Sequence, residues 1–237
     1  MKRIAYVTDV HLDESYITEQ GIDPGNNWKR ILADIKNRGI QEIIFGGDIG
    51  LEESYAYFFE SLKAFDLKLT LGNHDQSQLI RKYFPNYFNK GSDELYYLIE
   101  DAQRRFIFLD SSSFEISSAQ LKFIKESIET DHSIFVFIHH PLIKVDTPVD
   151  AQYPLQNRQA VMDLFMAIDQ PIHVFCGHYH MEDQRSVANV QQVITMAASY
   201  QLNKTAPVIE TGSKDFGYRI LSFNDKDVRT ELVQFVL

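Results

Sequence analysis

The side chains best suited to bind a metal or move a proton collect in five short runs. They are Asp9-Val10-His11, Gly47-Asp48, Gly72-Asn73-His74-Asp75, His139-His140 and Gly177-His178-Tyr179-His180. Six of the eight histidines lie in these runs, a concentration that scattered surface histidines would not produce. Imidazole, carboxylate and carboxamide donors without sulfur suit Mn, Fe, Zn, Ni or Co. Cys176 is the single cysteine, so neither an intrachain disulfide nor a thiolate cluster can form. The donors are too many for one catalytic ion that also keeps an open position. Two ions sharing a bridging carboxylate are therefore expected, with Asp48 as the bridge, because the glycines before it let backbone approach a metal closely.

Each run follows, or ends, an apolar segment that reads as a buried strand. Ile4–Val10, Ile43–Phe45, Leu67–Leu71, Ile134–Ile138 and Ile172–Phe175 are those segments. Ligands in α/β sheets bind beyond the carboxyl ends of strands, so the five runs should converge. Asp9 and His11 stand two apart, as do His178 and His180; on an extended chain each pair would project to one side. Helices are expected over Trp28–Asn37, Ser54–Phe65, Gln76–Phe84, Leu121–Ile128 (after a capping box at Ser117–Gln120) and Asn157–Ile168. Val145–Gln156, with two prolines, reads as a loop, and Tyr96–Ile99 with Phe106–Leu109 as a hairpin. Val193–Ala198, Tyr218–Phe223 and Val228–Val236 are strand-like. A β-α-β-α-β start with a strand-rich finish argues a layered α/β sandwich rather than a simple doubly wound sheet.

The 237 residues fit one domain, 1–237, with the motifs in about 1–180 and the strand-rich part in about 181–237. The formal net charge of -10 disfavours extended nucleic acid and anionic membranes as partners. A pair of cations would reverse that field locally and admit a phosphate ester. No stretch is long and apolar enough to span a membrane, and the N-terminal apolar run is too short for a signal peptide. Cytoplasmic residence is the expectation, and the C-terminal strands could supply an edge or face for a homodimer.

Taken together and in order, the runs resemble the D-x-H, G-D, G-N-H-[DE], H and G-H-x-H pattern of the calcineurin-like metallophosphoesterases. The similarity spans Asp9 to His180, about three quarters of the chain. It implies a sandwich of two mixed β-sheets flanked by helices and a dinuclear centre, with Mn or Fe favoured. By motif, Asp9, His11, Asp48 and His180 would hold one ion and Asp48, Asn73, His139 and His178 the other. Asn73 and His74 would meet the substrate phosphate, and His74 would be the general acid. Asp75 would orient His74, or cap a helix. His140 would support the site from behind or line the pocket. Thr8-Asp9-Val10-His11-Leu12, His139-His140-Pro141-Leu142, Leu155-Gln156-Asn157 and Phe216-Gly217-Tyr218-Arg219 are also similar to the bacterial class III cyclic nucleotide phosphodiesterases.

The function expected is hydrolysis of a small phosphodiester, such as a 3′,5′-cyclic nucleotide. The alternatives are a phosphomonoesterase, a nucleotide-lipid pyrophosphatase, a glycerophosphodiesterase, a nuclease or a non-catalytic scaffold. Asn157 and Arg158 could approach the substrate, whereas Tyr179 should pack away from the metals.

Overall fold

The computed structural model describes residues 2–89, 91–101, 103–224 and 227–236. The chain begins β1 (Lys2–Val7), α1 (Ser15–Thr18), α2 (Pro24–Asn37), β2 (Glu42–Phe45) and α3 (Tyr55–Ser61). It continues through β3 (Asp66–Leu69), α4 (Ser77–Ile80), β4 (Tyr97–Glu100), β5 (Arg104–Phe108) and α5 (Ser118–Ser127). Then come β6 (Ser133–Phe137), α6 (Pro148–Gln152), α7 (Arg158–Met166), β7 (Ile172–Cys176) and β8 (Asp183–Val187). The last strands are β9 (Val190–Ile194), β10 (Gln201–Leu202), β11 (Thr211–Ser213), β12 (Phe216–Phe223) and β13 (Val228–Phe235).

Two large sheets form, in the orders β13-β12-β1-β2-β3 and β4-β5-β6-β7-β9-β8. Both are mixed: β1, β2 and β3 run parallel beside antiparallel β12, while β5, β6, β7 and β9 run parallel between antiparallel β4 and β8. The expected α/β sandwich is the architecture adopted. The run Ile134–Ile138 shows why. Strand side chains alternate between faces, so Phe135 and Phe137 turn between the sheets, where Phe135 meets Phe223 at 4.9 Å and Phe137 meets Tyr6 at 5.8 Å. Ile134, Val136 and Ile138 belong instead to the outer layer, with Ile124 of α5 and Val161 and Phe165 of α7. Both faces of this strand are covered. Each buried side chain of this size contributes about 1.5–3 kcal/mol.

On the other sheet, α2 buries Trp28, Ile31 and Ile35, and Trp28 stacks on Phe58 of α3 at 5.3 Å. Gly39 follows with φ +69°, the left-handed residue expected there. The helix begins earlier than its apolar stripe, because Asp23 caps it through Asn26 N–H and Pro24 takes the first turn.

Several local expectations need correction. The segment Val145–Gln156 contains α6: Thr147 caps it and Pro148 sits at its first position, where proline starts a helix. At α5 only half of the capping box forms. Ser117 Oγ accepts from Gln120 N–H at 3.2 Å, whereas the Gln120 amide reaches the Asp110 backbone at 2.9 Å. The Ser54–Phe65 helix is shorter, Tyr55–Ser61 after one 3₁₀ turn, and that over Gln76–Phe84 shrinks to Ser77–Ile80. Strand β9 stops at Ile194 because the chain turns toward β1, where Ala198 N–H donates to Thr8 C=O at 2.9 Å. Strand β8 was not expected, since an edge strand reading Asp-Gln-Arg-Ser-Val lacks apolar alternation. Among the described residues no helix is long and apolar enough to cross a membrane.

Candidate active site

The runs that follow β1, β2 and β3 of one sheet and β6 and β7 of the other meet at one end of the sandwich. Asp9, His11, Asp48, His139, His178 and His180 are all buried there. Metal-ligating atoms of Asp9, His11 and His180 lie within 4.8 Å of one another, as do those of Asp48, His139 and His178. The two groups adjoin through Asp48, whose Oδ2 is 3.2 Å from His139 Nε2 and 3.6 Å from His11 Nε2.

The way these residues converge differs from the extended-chain expectation. Asp9, His11, Asp48, His178 and His180 have φ of 58°, 52°, 63°, 68° and 46°, so each stands on left-handed backbone. Such a conformation costs a non-glycine residue roughly 1–2 kcal/mol, least for Asp and Asn. Gly47 adopts φ +100°, and a Cβ there would come 2.8 Å from His139 Nδ1. Tight turns, not straight strand ends, aim these donors.

One nitrogen of each imidazole is committed to an oxygen. His139 Nδ1 donates to Gly46 C=O at 2.8 Å, His178 Nε2 to Tyr153 C=O at 2.9 Å, and His180 Nδ1 to Tyr200 C=O at 3.0 Å. His11 Nδ1 donates to Glu14 Oε1 at 3.0 Å. The other nitrogen of each ring is thereby left to face the centre, the arrangement found around metal-ligating histidines. His11 Nε2 and His180 Nε2 face each other at 3.0 Å. His139 Nε2 and Asn73 Oδ1 are buried without a hydrogen-bond partner. These inward acceptors suit cations, and they are the atoms a metal would take.

Electrostatics agree. Burial and the nearby His139 push His178 down to about 3, and burial with the adjacent His11 holds His180 well below the ordinary histidine range, so both rings are neutral. Burial would raise Asp48, but the imidazoles of His139 and His11 close to it overcome that and hold the carboxylate ionised. The Asp9 carboxylate is oriented by Thr8 Oγ1 at 2.7 Å and His178 N–H at 3.1 Å.

Beside the donors opens a cavity of about 210 Å³. His74 and Asn73 line it together with His11, Asp48, His178 and His180. The rest of the lining is aromatic and aliphatic, Tyr16, Phe114, Val149, Tyr153, Tyr200, Leu202 and Ile209, with Tyr200 packed on His180 at 4.5 Å. The hydrogen bond from His74 Nδ1 to Glu14 outweighs burial and pushes this histidine up to about 9.

Asp75 does not touch His74 in the way expected. Its carboxylate accepts Gly72, Asp48 and Ile49 N–H, each at 2.9 Å, and so holds the turn that carries Asp48. Asp75→Asn is expected to leave at least one of those donors unsatisfied and to lower unfolding free energy by about 1–3 kcal/mol. Urea denaturation checks this; full stability combined with selective loss of turnover on alkyl esters would restore the orienting role instead.

Of the two places expected for His140, the structure gives the one behind the site. It is fully buried behind His178, with ring centroids 4.1 Å apart, and its Nδ1 pairs with Ser111 Oγ at 2.9 Å. It therefore supports the wall rather than lining the cavity. Asn157 clasps the Ile116 backbone, and Arg158 pairs with Asp150 at 2.6 Å beside a separate 710 Å³ groove. Tyr179 packs away from the donors with its hydroxyl on Asp150, as expected. Glu14 and the carbonyls of Gly46, Tyr153 and Tyr200 were not anticipated.

Two clusters of imidazole and carboxylate around a shared aspartate, at the end of a two-sheet sandwich, define a dinuclear metal centre of a phosphoester hydrolase. The chain belongs to the calcineurin-like phosphoesterases, whose family model matches residues 2–182. It is 24% identical over 237 residues to a probable cyclic nucleotide phosphodiesterase of Fibrobacter succinogenes, covering 97% of this chain and 93% of that one. A probable glycerophosphodiester phosphodiesterase of Arcobacter nitrofigilis is 32% identical over 152 residues, 58% of this chain and 56% of its own. The fold is similar to that of a dimetal phosphatase from Danio rerio, with a TM-score of 0.70 at 13% identity over 98% of this chain and 95% of that one.

Proposed function

We propose that the protein hydrolyses a small phosphodiester, with 3′,5′-cyclic nucleotides as its substrates. Asp9, His11, Asp48 and His180 would hold one cation, and Asp48, Asn73, His139 and His178 the second. Mixed nitrogen and oxygen donors without sulfur suit Mn, Fe, Zn, Ni or Co, and the family resemblance favours Mn or Fe among them. When bound, such a pair supplies Lewis acidity toward water and phosphate.

The chain's own residues do the rest. Asn73 and His74 face the phosphate from one side of the cavity. His74 Nδ1 is tied to Glu14 at 3.2 Å, so Nε2 is the nitrogen left to deliver a proton to the departing oxygen. The observation that carries the substrate assignment is the apolar part of the cavity lining. Tyr16, Phe114, Tyr153, Tyr200, Leu202 and Ile209 offer aromatic and aliphatic surface to a flat, weakly polar group attached to the phosphate, such as a nucleobase. A glycerol moiety would leave that surface largely unmatched.

A parallel panel with added Mn²⁺ tests the proposal: 3′,5′- and 2′,3′-cyclic nucleotides, glycerophosphodiesters, a nitrophenyl phosphodiester and phosphomonoesters. The 3′,5′-cyclic nucleotides should give the highest kcat/KM among the natural esters, about tenfold or more above glycerophosphodiesters, a gap of about 1.4 kcal/mol. A faster glycerophosphodiester or monoester would overturn the substrate assignment, and absence of any turnover would overturn the activity.

A further inference from the structure

We propose that Glu14 is a positioning residue that ties the metal-facing imidazole of His11 to the substrate-facing imidazole of His74 through a single carboxylate oxygen. The inference rests on the phosphodiesterase function proposed above and deepens it.

Glu14 stands at the start of α1, where a side chain would ordinarily cap the helix or point to water. It does neither. Its backbone carbonyl accepts Ile17 N–H at 3.1 Å, but its side chain makes no cap hydrogen bond and is only 4% exposed. Burying a carboxylate is unfavourable unless hydrogen-bonding partners compensate it. Here the partners are two imidazoles on one atom: Oε1 lies 3.0 Å from His11 Nδ1 and 3.2 Å from His74 Nδ1. The rings meet edge to face, with centroids 4.8 Å apart at 88°, so both Nδ1 atoms can converge on that oxygen. Oε2 is buried without a well-formed hydrogen bond, with the Tyr16 side chain close to the carboxylate.

The consequence is shared orientation. With Nδ1 of His11 committed to Glu14, Nε2 points at Asp48 Oδ2, 3.6 Å away, and at His180 Nε2, 3.0 Å away. With Nδ1 of His74 on the same oxygen, its ring cannot turn without disturbing the His11 contact. Asp75 cannot substitute, since both its oxygens hold backbone N–H groups.

The test uses the full chain as wild type, Glu14→Ala, Glu14→Gln, Glu14→Asp, His74→Ala and the Glu14→Ala/His74→Ala pair. Mn²⁺ affinity is read by equilibrium dialysis, and turnover on a nitrophenyl and an alkyl phosphodiester. Glu14→Ala should weaken Mn²⁺ binding about 10–100-fold, the usual effect of removing the partner of a ligand histidine. That weakening should persist in the His74→Ala background, because it acts through His11. The loss of kcat on the alkyl ester should instead shrink there, because it acts through His74. Glu14→Gln keeps the shape and an acceptor oxygen and should restore most of the affinity. Glu14→Asp withdraws the oxygen by one methylene and should not, which keeps the test decisive if Glu14→Ala fails to fold. Wild-type affinity and turnover in Glu14→Asp would overturn the proposal, as would equal kcat losses in both backgrounds. A wild-type protein that binds no Mn²⁺ or cleaves no phosphodiester would remove the underlying function as well; an active, metal-loaded wild type with indifferent Glu14 variants would remove only this proposal.

Discussion

Asp48→Ala is expected to empty both metal positions and to lower phosphodiester turnover by at least about 10²–10³-fold, the scale of losing a central electrostatic group. The reason is its double membership. One carboxylate oxygen approaches His139 at 3.2 Å and His11 at 3.6 Å, one ring from each donor cluster. The other accepts His74 N–H at 2.9 Å, so the loop carrying the proton donor loses an anchor too. Alanine at φ +63° adds backbone strain of its own. Asp48→Asn, better suited to left-handed backbone, separates the two causes: it should remain folded and still lose metal. Elemental analysis decides the matter. Two ions per chain in Asp48→Ala would defeat the bridge assignment.

His74→Ala should behave in the opposite way, keeping its metal while losing rate. The ring lines the cavity with Nδ1 held by Glu14, and it belongs to neither the Asp9, His11 and His180 group nor the Asp48, His139 and His178 group. Removing a general acid typically costs about 10²–10⁴-fold, and that full loss is expected on an alkyl leaving group that must be protonated as it departs. A nitrophenolate needs no proton, so the same variant should lose much less, about tenfold or under, on the nitrophenyl diester. Equal losses on both esters would leave His74 as a phosphate contact without an acid role.

Much of this was legible from the chain alone, for a physical reason. Buried strands are apolar runs, and a run such as Ile134–Ile138 that stops at His139 announces both the strand and the polar end. What stayed hidden has equally definite causes. Glu14 sits in Asp13-Glu14-Ser15, where its inward turn is set by folding and looks, in sequence, like any solvated acid. Three of the partners that fix the histidine rings are backbone carbonyls, of Gly46, Tyr153 and Tyr200, and a carbonyl has no side-chain identity to read. Adjacency suggests a contact between Asp75 and His74, whereas the turn directs the Asp75 oxygens to the backbone of Gly72, Asp48 and Ile49. The cavity wall joins Tyr16 to Tyr200 and Ile209, residues brought together only by the sandwich.

The left-handed turns have an architectural consequence. Five unfavourable backbone conformations at about 1–2 kcal/mol each rival the entire 5–15 kcal/mol by which a typical domain stays folded. No excised loop would hold such a shape in isolation. The pocket is imposed from outside by two layers gripping the same knot of chain, so grafting its residues onto another scaffold would reproduce the letters without the chemistry.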